Sequence, residues 1–292
     1  MIRFSKYIWF YFLLSALVLV PGIFSLVKWG LKPAIDFTGG TLLELKFKRP
    51  ISTTLFKETA GSEKLSLSSV QSSGTNTYIL RTQQENDTAL LQFESKLASV
   101  SGESPLVVRK ETIGPVLGKE LLTKAIAASI LAILAILVYI AYAFKNIKYG
   151  VSAIIALFHD LLVVLGSFSL FGHFFGVEVD TLFVTAVLTT MSFSVHDTIV
   201  VFDRIREYRR RDDRTPFDEL SDRALTETMG RSLTNSLTLI LMLLALTLMG
   251  GETVHWFIIA LLIGTTSGAY SSPFIATPVL VLWERWGKRR KP

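Results

Sequence analysis

Two histidine–aspartate pairs, His159-Asp160 and His196-Asp197, lie inside long apolar runs of this 292-residue chain. The second falls in SVHDTIVVFDRIREYRRR, Ser194 to Arg211, more than a helical turn before the charged end at Asp203 and Arg204. A charge at bilayer depth costs at least ~2.5–3.5 kcal/mol even on lenient insertion scales, so acids kept there mark ion pathways or structural ion pairs. Counting 1.5 Å per residue from the ends of the runs puts Asp160 and Asp197 at roughly 13 and 9 Å, comparable levels. Thr190 and Ser194 sit at helical spacing upstream of Asp197 and extend a polar stripe. Arg231 opens a later apolar run, Asn235 and Thr238 continue its face, and Arg231 is the expected charge partner of Asp197. Two readings stand side by side. In one, these residues are ion pairs joining helices. In the other, Asp197, Arg231, His196, Asp160 and His159 form a proton pathway, because an acid balanced between apolar burial and a neighbouring Arg changes protonation when the Arg moves. His196 projects about 100° away from Asp197 on a helix, toward Ser192 and a facing helix such as the one carrying His159-Asp160. It is read as a tuning residue, and Asp197 as the carrier.

The elements that must hold these residues are membrane spans. Half of the chain is hydrophobic, too much for an ordinary soluble domain. Six apolar runs reach spanning length: Tyr7–Trp29, Leu121–Phe144, Val151–Phe171, Thr181–Phe202, Ser232–Met249 and Val254–Trp283. The first has basic flanks at Arg3 and Lys6 but is too long for a signal peptide and lacks a small-residue cleavage site, so an uncleaved helix is expected, with a kink at Pro21-Gly22. In the last, Gly264 and Gly268 form G-x-x-x-G, a close-packing face, while Ser271, Ser272, Pro273 and Pro278 open gaps in backbone hydrogen bonding. Seventeen Lys and Arg flank the runs on one side and none lies in the short loops GHFFGVEVD and GGETVHW on the other. The positive-inside rule then puts both termini in the cytoplasm and residues 30–119 outside. The basic clusters are topology signals at an anionic lipid surface, and no nucleic acid is expected.

Residues 30–119 turn polar, rich in Ser, Thr, Glu and Lys. TLLELKFKR alternates, with Leu43, Leu45 and Phe47 on one face of a strand. STTLFKETA reads as a short helix capped by Ser52, SLSSVQSS and NTYILRTQ as a hairpin through Gly74, TALLQFESKLA as a helix capped by Asp87 with Leu90, Leu91, Phe93 and Leu97 inward, and PLVVRKETI as a last strand. The order β-α-β-β-α-β predicts a small α+β ferredoxin-like domain that binds or serves as a handle. The expected organisation is a first transmembrane helix (1–29), an extracytoplasmic domain (30–119) and a five-helix membrane domain (120–292) with a cytoplasmic connection at 203–231. Gly39-Gly40 and Gly114 at the edges of the middle domain suit packing or hinge positions. With no Cys, disulfides, thiolate metal sites and cysteine nucleophiles are excluded. No catalytic constellation, metal or cofactor is expected.

DFTGGT (36–41), IGPVLGKEL (113–121), HD (159–160), DTIVVFDRIRE (197–207), RSLTNS (231–236) and SGAYSSPFIATP (267–278) resemble, in order, the SecF family, of the resistance–nodulation–division type. The resemblance spans nearly the whole chain. It implies a subunit of the bacterial cytoplasmic (inner) membrane that pairs with SecD, two six-helix halves related by pseudo-twofold symmetry. It also implies work beside the SecYEG channel and YajC, using the proton-motive force to assist export of unfolded polypeptide. The family's membrane acid maps onto Asp197 and its charge partner onto Arg231. Members commonly carry Asn where His196 stands and often Thr where Asn235 stands. A six-helix unit with a one-sided polar seam needs a second unit to cover it, which agrees with a half-transporter. Other classes remain: an exporter half of the same superfamily, a passive assembly scaffold, and an intramembrane aspartyl protease, for which neither Asp160 nor Asp197 has the Gly-x-Gly-Asp setting.

Overall fold

The computed structural model describes residues 3–72, 74–83, 87–144, 146–212, 214–251 and 254–289. Lys145, Arg290 and Lys291, counted above among the basic flanks, lie outside them. The chain divides into a membrane unit, Met1–Leu31 with Ser129–His173 and Leu182–Pro292, and a polar unit, Lys32–Ala128 with Phe174–Thr181.

In the polar unit a short helix, α2 (Ile35–Thr38), leads into β1 (Gly40–Lys46), followed by α3 (Thr53–Ser62), β2 (Leu67–Ser72), β3 (Thr77–Thr82), α4 (Asp87–Ser101) and β4 (Leu106–Ile113). The strands form one antiparallel sheet in the order β2-β3-β1-β4, the ferredoxin-like arrangement that the element order predicts. Leu43 and Leu45 of β1, Phe47 just after it, Tyr78 and Leu80 of β3, Phe56 of α3, and Leu90, Phe93 and Leu97 of α4 make the core. Ser52 caps α3 by accepting from the Thr54 N–H at 3.3 Å. Leu91 departs from expectation: it is exposed, because its place beside Leu90 turns it about 100° off the buried stripe. Asp87 is the first residue of α4 and pairs with Lys110 of β4 at 2.8 Å.

Among the described residues six helices are long and apolar enough to cross a membrane: α1 (Ile8–Lys28), α5 (Pro115–Ala143), α6 (Ile147–Phe175), α7 (Thr181–Arg211), α8 (Phe217–Met249) and the path His255–Gly287. That last path is α9 (His255–Ser271), a π-helical turn (Ser272–Ala276) and α10 (Thr277–Arg289). The turn begins at Ser272-Pro273, where proline removes an N–H from the ladder. Pro21 sits within α1 without ending it. Helices α7 and α8 run well past their apolar stretches, so most of 203–231 is helical rather than loop. Ion pairs along the arms account for this: Arg204–Glu207, Arg211–Glu207 and Arg223–Glu219 within a helix, and Arg204–Glu227 across the two. Asp212 makes the turn between them, accepting from the Arg214 and Thr215 N–H groups.

Two registers organise the membrane unit. Ser15 meets His159, Gly22 meets Gly166 and Ser25 meets Ser169, all at a sequence offset of 144, so α1 and α6 run parallel. Thr190 meets Gly264, Ser194 meets Gly268 and Thr198 meets Ser272, all at an offset of 74, so α7 and α9 run parallel as well. Parallel pairs of spans one and three, and four and six, are what alternating crossings require.

Candidate functional site: two acids on neighbouring helices

Small residues bring α7 and α9 together. A Cβ built on Gly264 would stand 2.4 Å from Thr190 Cγ2, and one on Gly268 3.2 Å from Ser194 Cα. The G-x-x-x-G face therefore seats the Thr190–Ser194 stripe, with backbones close enough for short polar side chains to cross. Gly22 and Gly166 do the same for α1 and α6.

Into this close packing α6 projects Asp160. Its buried carboxylate accepts from the hydroxyls of Ser194, Ser267 and Ser271, each at 2.6 Å, and lies 3.0 Å from His159 Nδ1. These four partners fill its acceptor capacity. A tautomer with the proton on Nδ1 leaves His159 Nε2 to accept from Ser15, 3.1 Å away on α1. Asp160 thus ties α6, α7 and α9 directly, and α1 through His159.

Asp197 is held differently. It is half-buried on α7 and accepts from Ser232 Oγ at 3.0 Å and Ser236 Oγ at 3.4 Å, one turn apart on α8. A cavity of about 390 Å³ opens onto it, lined also by Phe193, His196, Asn235, Thr238 and Gly268. Among the described residues no Lys or Arg comes within ion-pairing distance of it.

Two contacts drawn from the sequence are corrected. Arg231 does not pair with Asp197: it is exposed on α8, and the next residue, Ser232, turned about 100° from it, takes the place facing the acid. His196 does not face His159-Asp160: it is exposed and lines the Asp197 cavity, while Ser194, two residues earlier, reaches Asp160. The structure brings Asp197, His196 and Asn235 to one cavity and His159 and Asp160 to another cluster. The sequence did not single out Ser232, Ser236, Ser267 or Gly166, and it marked Gly22 as part of a kink rather than as a packing position. Their signal was available as small residues at helical spacing, Ser232/Ser236 and Ser15/Gly22/Ser25 against His159/Gly166/Ser169.

The other glycine pair belongs to the polar unit. Gly39 has φ +74°, and a Cβ there would lie 2.7 Å from Pro115 Cα; one on Gly118 would lie 2.7 Å from Gly39 N. Gly40, at φ +135°, would bring a Cβ within 2.5 Å of Thr82 O. The DFTGGT turn and the GPVLG start of α5 are therefore two sides of one backbone-to-backbone contact.

A family model described as "Protein export membrane protein SecD/SecF, C-terminal" matches residues 92–286, and one described as "SecD/SecF GG Motif" matches residues 24–51. The chain is 41% identical to "Protein translocase subunit SecF" of Thermobaculum terrenum, covering 97% of this chain and 94% of that protein. It belongs to the SecF family. The SecF proteins of Anaerolinea thermophila and Synechocystis are 38% and 34% identical, each over 96% of this chain and over 94% and 93% of their own lengths. A crystal structure of SecDF from Thermus thermophilus, described as a translocon-associated membrane protein, matches 97% of this chain with a TM-score of 0.87 and 28% identity. A structure of SecDF in a super-membrane-facing form matches 98% with a TM-score of 0.69 and 29% identity. The chain spans 39% of the length of each SecDF chain. With six spanning helices, this SecF-family chain is a multi-span membrane protein.

Proposed function

We propose that this chain is the SecF half of a complex with SecD in the bacterial cytoplasmic membrane, using the proton-motive force to assist Sec-dependent export, with Asp197 as proton carrier. One observation carries the reading: an acid inside a spanning helix, held among the described residues by two serine hydroxyls and opening on a cavity. Serine hydroxyls can donate to a carboxylate and can equally accept from a carboxylic acid, so they accommodate either form of Asp197. An unpaired membrane acid of this kind marks an ion pathway by default. His196, on the cavity wall, tunes the site. Arg231, exposed on α8, is free to meet an acid of the partner half. On this reading Asp160 and His159 support the pathway by holding its helices in register.

The one-sided distribution of Lys and Arg supports cytoplasmic termini and an extracytoplasmic polar unit. The partners would be SecD, which covers the cavity face, the SecYEG channel, YajC and the unfolded exported chain. The work is transport rather than enzymatic chemistry. Asp197→Asn keeps size and hydrogen bonding but cannot titrate. It is expected to insert, to co-purify with the SecD partner and to give no enhancement of export in inverted vesicles. Undiminished export would favour a passive scaffold.

A further inference from the structure

The connection from α6 to α7 reads in the sequence as a short loop, yet Phe174–Thr181, from the end of α6 to the first residue of α7, belongs to the polar unit. Pro33 and Val179 form a parallel bridge, flanked by the Ala34 N–H to Val179 O bond at 2.9 Å and the Val179 N–H to Lys32 O bond at 2.8 Å. The Gln71 side chain of β2 donates to Gly176 O. Asp36, from DFTGGT, accepts from both the N–H and the hydroxyl of Thr181, the first residue of α7, at 3.1 and 2.9 Å. It therefore caps, from a distant part of the chain, the helix that carries Asp197.

The centre of the segment is Glu178. Its side chain is only 6% exposed and lies 2.7 Å from Arg81 Nε of β3 and 3.3 Å from Lys32 Nζ. Ser69 of β2 faces it, Gln71 accepts from Arg81 Nη1 at 2.9 Å, and Asp180 and Arg109 complete the charges around Arg81. Burial holds the Glu178 carboxyl above the usual carboxylate range against the pull of Arg81 and Lys32, and the same burial lowers Arg81. A buried pair whose desolvation works against its charges adds little net stability, and its better-attested use is to fix one arrangement. Here the paired residue lies three positions before the start of α7.

We propose that Phe174–Thr181 is a coupling strap: Glu178, gripped by Arg81 and Lys32, and Thr181, capped by Asp36, fasten the Asp197 helix to the polar unit so that movement of α7 is passed to it. Glu178, Arg81 and Asp36 are positioning residues in this scheme. The inference rests on the proton-carrier reading of Asp197 and adds the route by which its cycle leaves the membrane.

The test uses the full chain with its SecD partner in proteoliposomes under an imposed proton gradient. Because the chain has no Cys, Ser99→Cys on the exposed face of α4 takes a single fluorophore. Two quantities are read: gradient-driven proton flux, and the change in probe signal. Glu178→Gln and Asp36→Ala are each expected to retain the flux and lose the probe response, a separation that a general loss of structure does not produce. An unchanged probe response, or flux and response falling together, overturns the strap. Asp197→Asn is the control for the underlying reading and should abolish both; if it keeps its flux, that reading fails whatever the strap variants do. Should Glu178→Gln or Asp36→Ala fail to accumulate, Glu178→Asp and Asp36→Asn replace them with the same expectation. Failure of all four to insert would make the segment a folding element and overturn the proposal.

Discussion

Ser232 and Ser236 decide what kind of acid Asp197 is, as Ser194, Ser267 and Ser271 decide what kind Asp160 is. Asp160 has four partners from three helices and fills its acceptor positions, whereas Asp197 has two from a single helix and faces a cavity. Removing them should have opposite consequences. Asp160→Leu leaves three serine hydroxyls and His159 without their partner, at ~1–3 kcal/mol for each group left unsatisfied. The variant is expected to lose most of its folded fraction in thermal unfolding in detergent, while Asp197→Asn unfolds at the parent temperature. Arg231 and Asp197 share no contact in this chain, so a double-mutant cycle of Arg231→Ala and Asp197→Asn, read as unfolding free energy of the isolated chain, should show coupling below about 0.5 kcal/mol. A larger coupling would place the two side chains together in the unpartnered protein.

The elements meet through glycine. On Gly264 a methyl group would overlap Thr190 and force α9 off α7, pulling Ser267 and Ser271 away from Asp160. Gly264→Ala is expected to cost ~1–3 kcal/mol, the range for overpacking, and Gly264→Leu to prevent accumulation. In the polar unit, Gly39→Ala combines a left-handed backbone with a 2.7 Å approach to Pro115, whereas Gly30 of the membrane unit, at φ +68°, has nothing within 4 Å of a built Cβ. Gly30→Ala should then cost only the backbone term, ~1–2 kcal/mol, and Gly39→Ala clearly more, measured side by side by thermal unfolding. Glu178 adds a dependence on pH. Its folded-state value lies above that of the unfolded chain because of burial, so the bound proton stabilises the folded unit. That contribution is fully present below the unfolded glutamate value of about 4.3 and is lost as pH rises through the folded value. The difference in unfolding temperature between the full chain and its Glu178→Gln variant should therefore change in the variant's favour from about pH 4 to pH 7.

At the scale of the molecule, the Asp197 cavity lies between α7, α8 and α9, and α8 presents Leu233, Leu237 and Leu241 outward along its length. Lipid covers the leucines well, but not Asn235 and Asp197 beside them. A six-helix partner of the same family would cover both. With a cysteine at Asn235, a small thiol reagent should label the chain alone readily and the chain co-expressed with a SecD partner slowly. Equal labelling rates would place the partner elsewhere. The SecDF structures, in which a chain like this one occupies 39% of the length, leave room for such a half.

Periodicity and residue type alone determined the six spans, the β-α-β-β-α-β order, the buried face of β1 and that of α4 apart from Leu91, because apolar length and spacing act locally and need no knowledge of neighbours. The same logic singled out Asp197, Asp160 and the Gly264–Gly268 face, since a charge among apolar residues and a small-residue repeat are visible in one dimension. Periodicity also indicated that Arg231 and Asp197 lie on spans able to meet, but not which residue of α8 turns toward the acid. A difference of one position, Arg231 or Ser232, is a rotation of about 100°, and it is set by how α8 packs rather than by its own composition. Offsets of 144 and 74, the serine cage around Asp160 and the capping of α7 by Asp36 all join residues far apart in the chain. Only the tertiary structure decides them, because each depends on how segments distant in the chain approach one another in space.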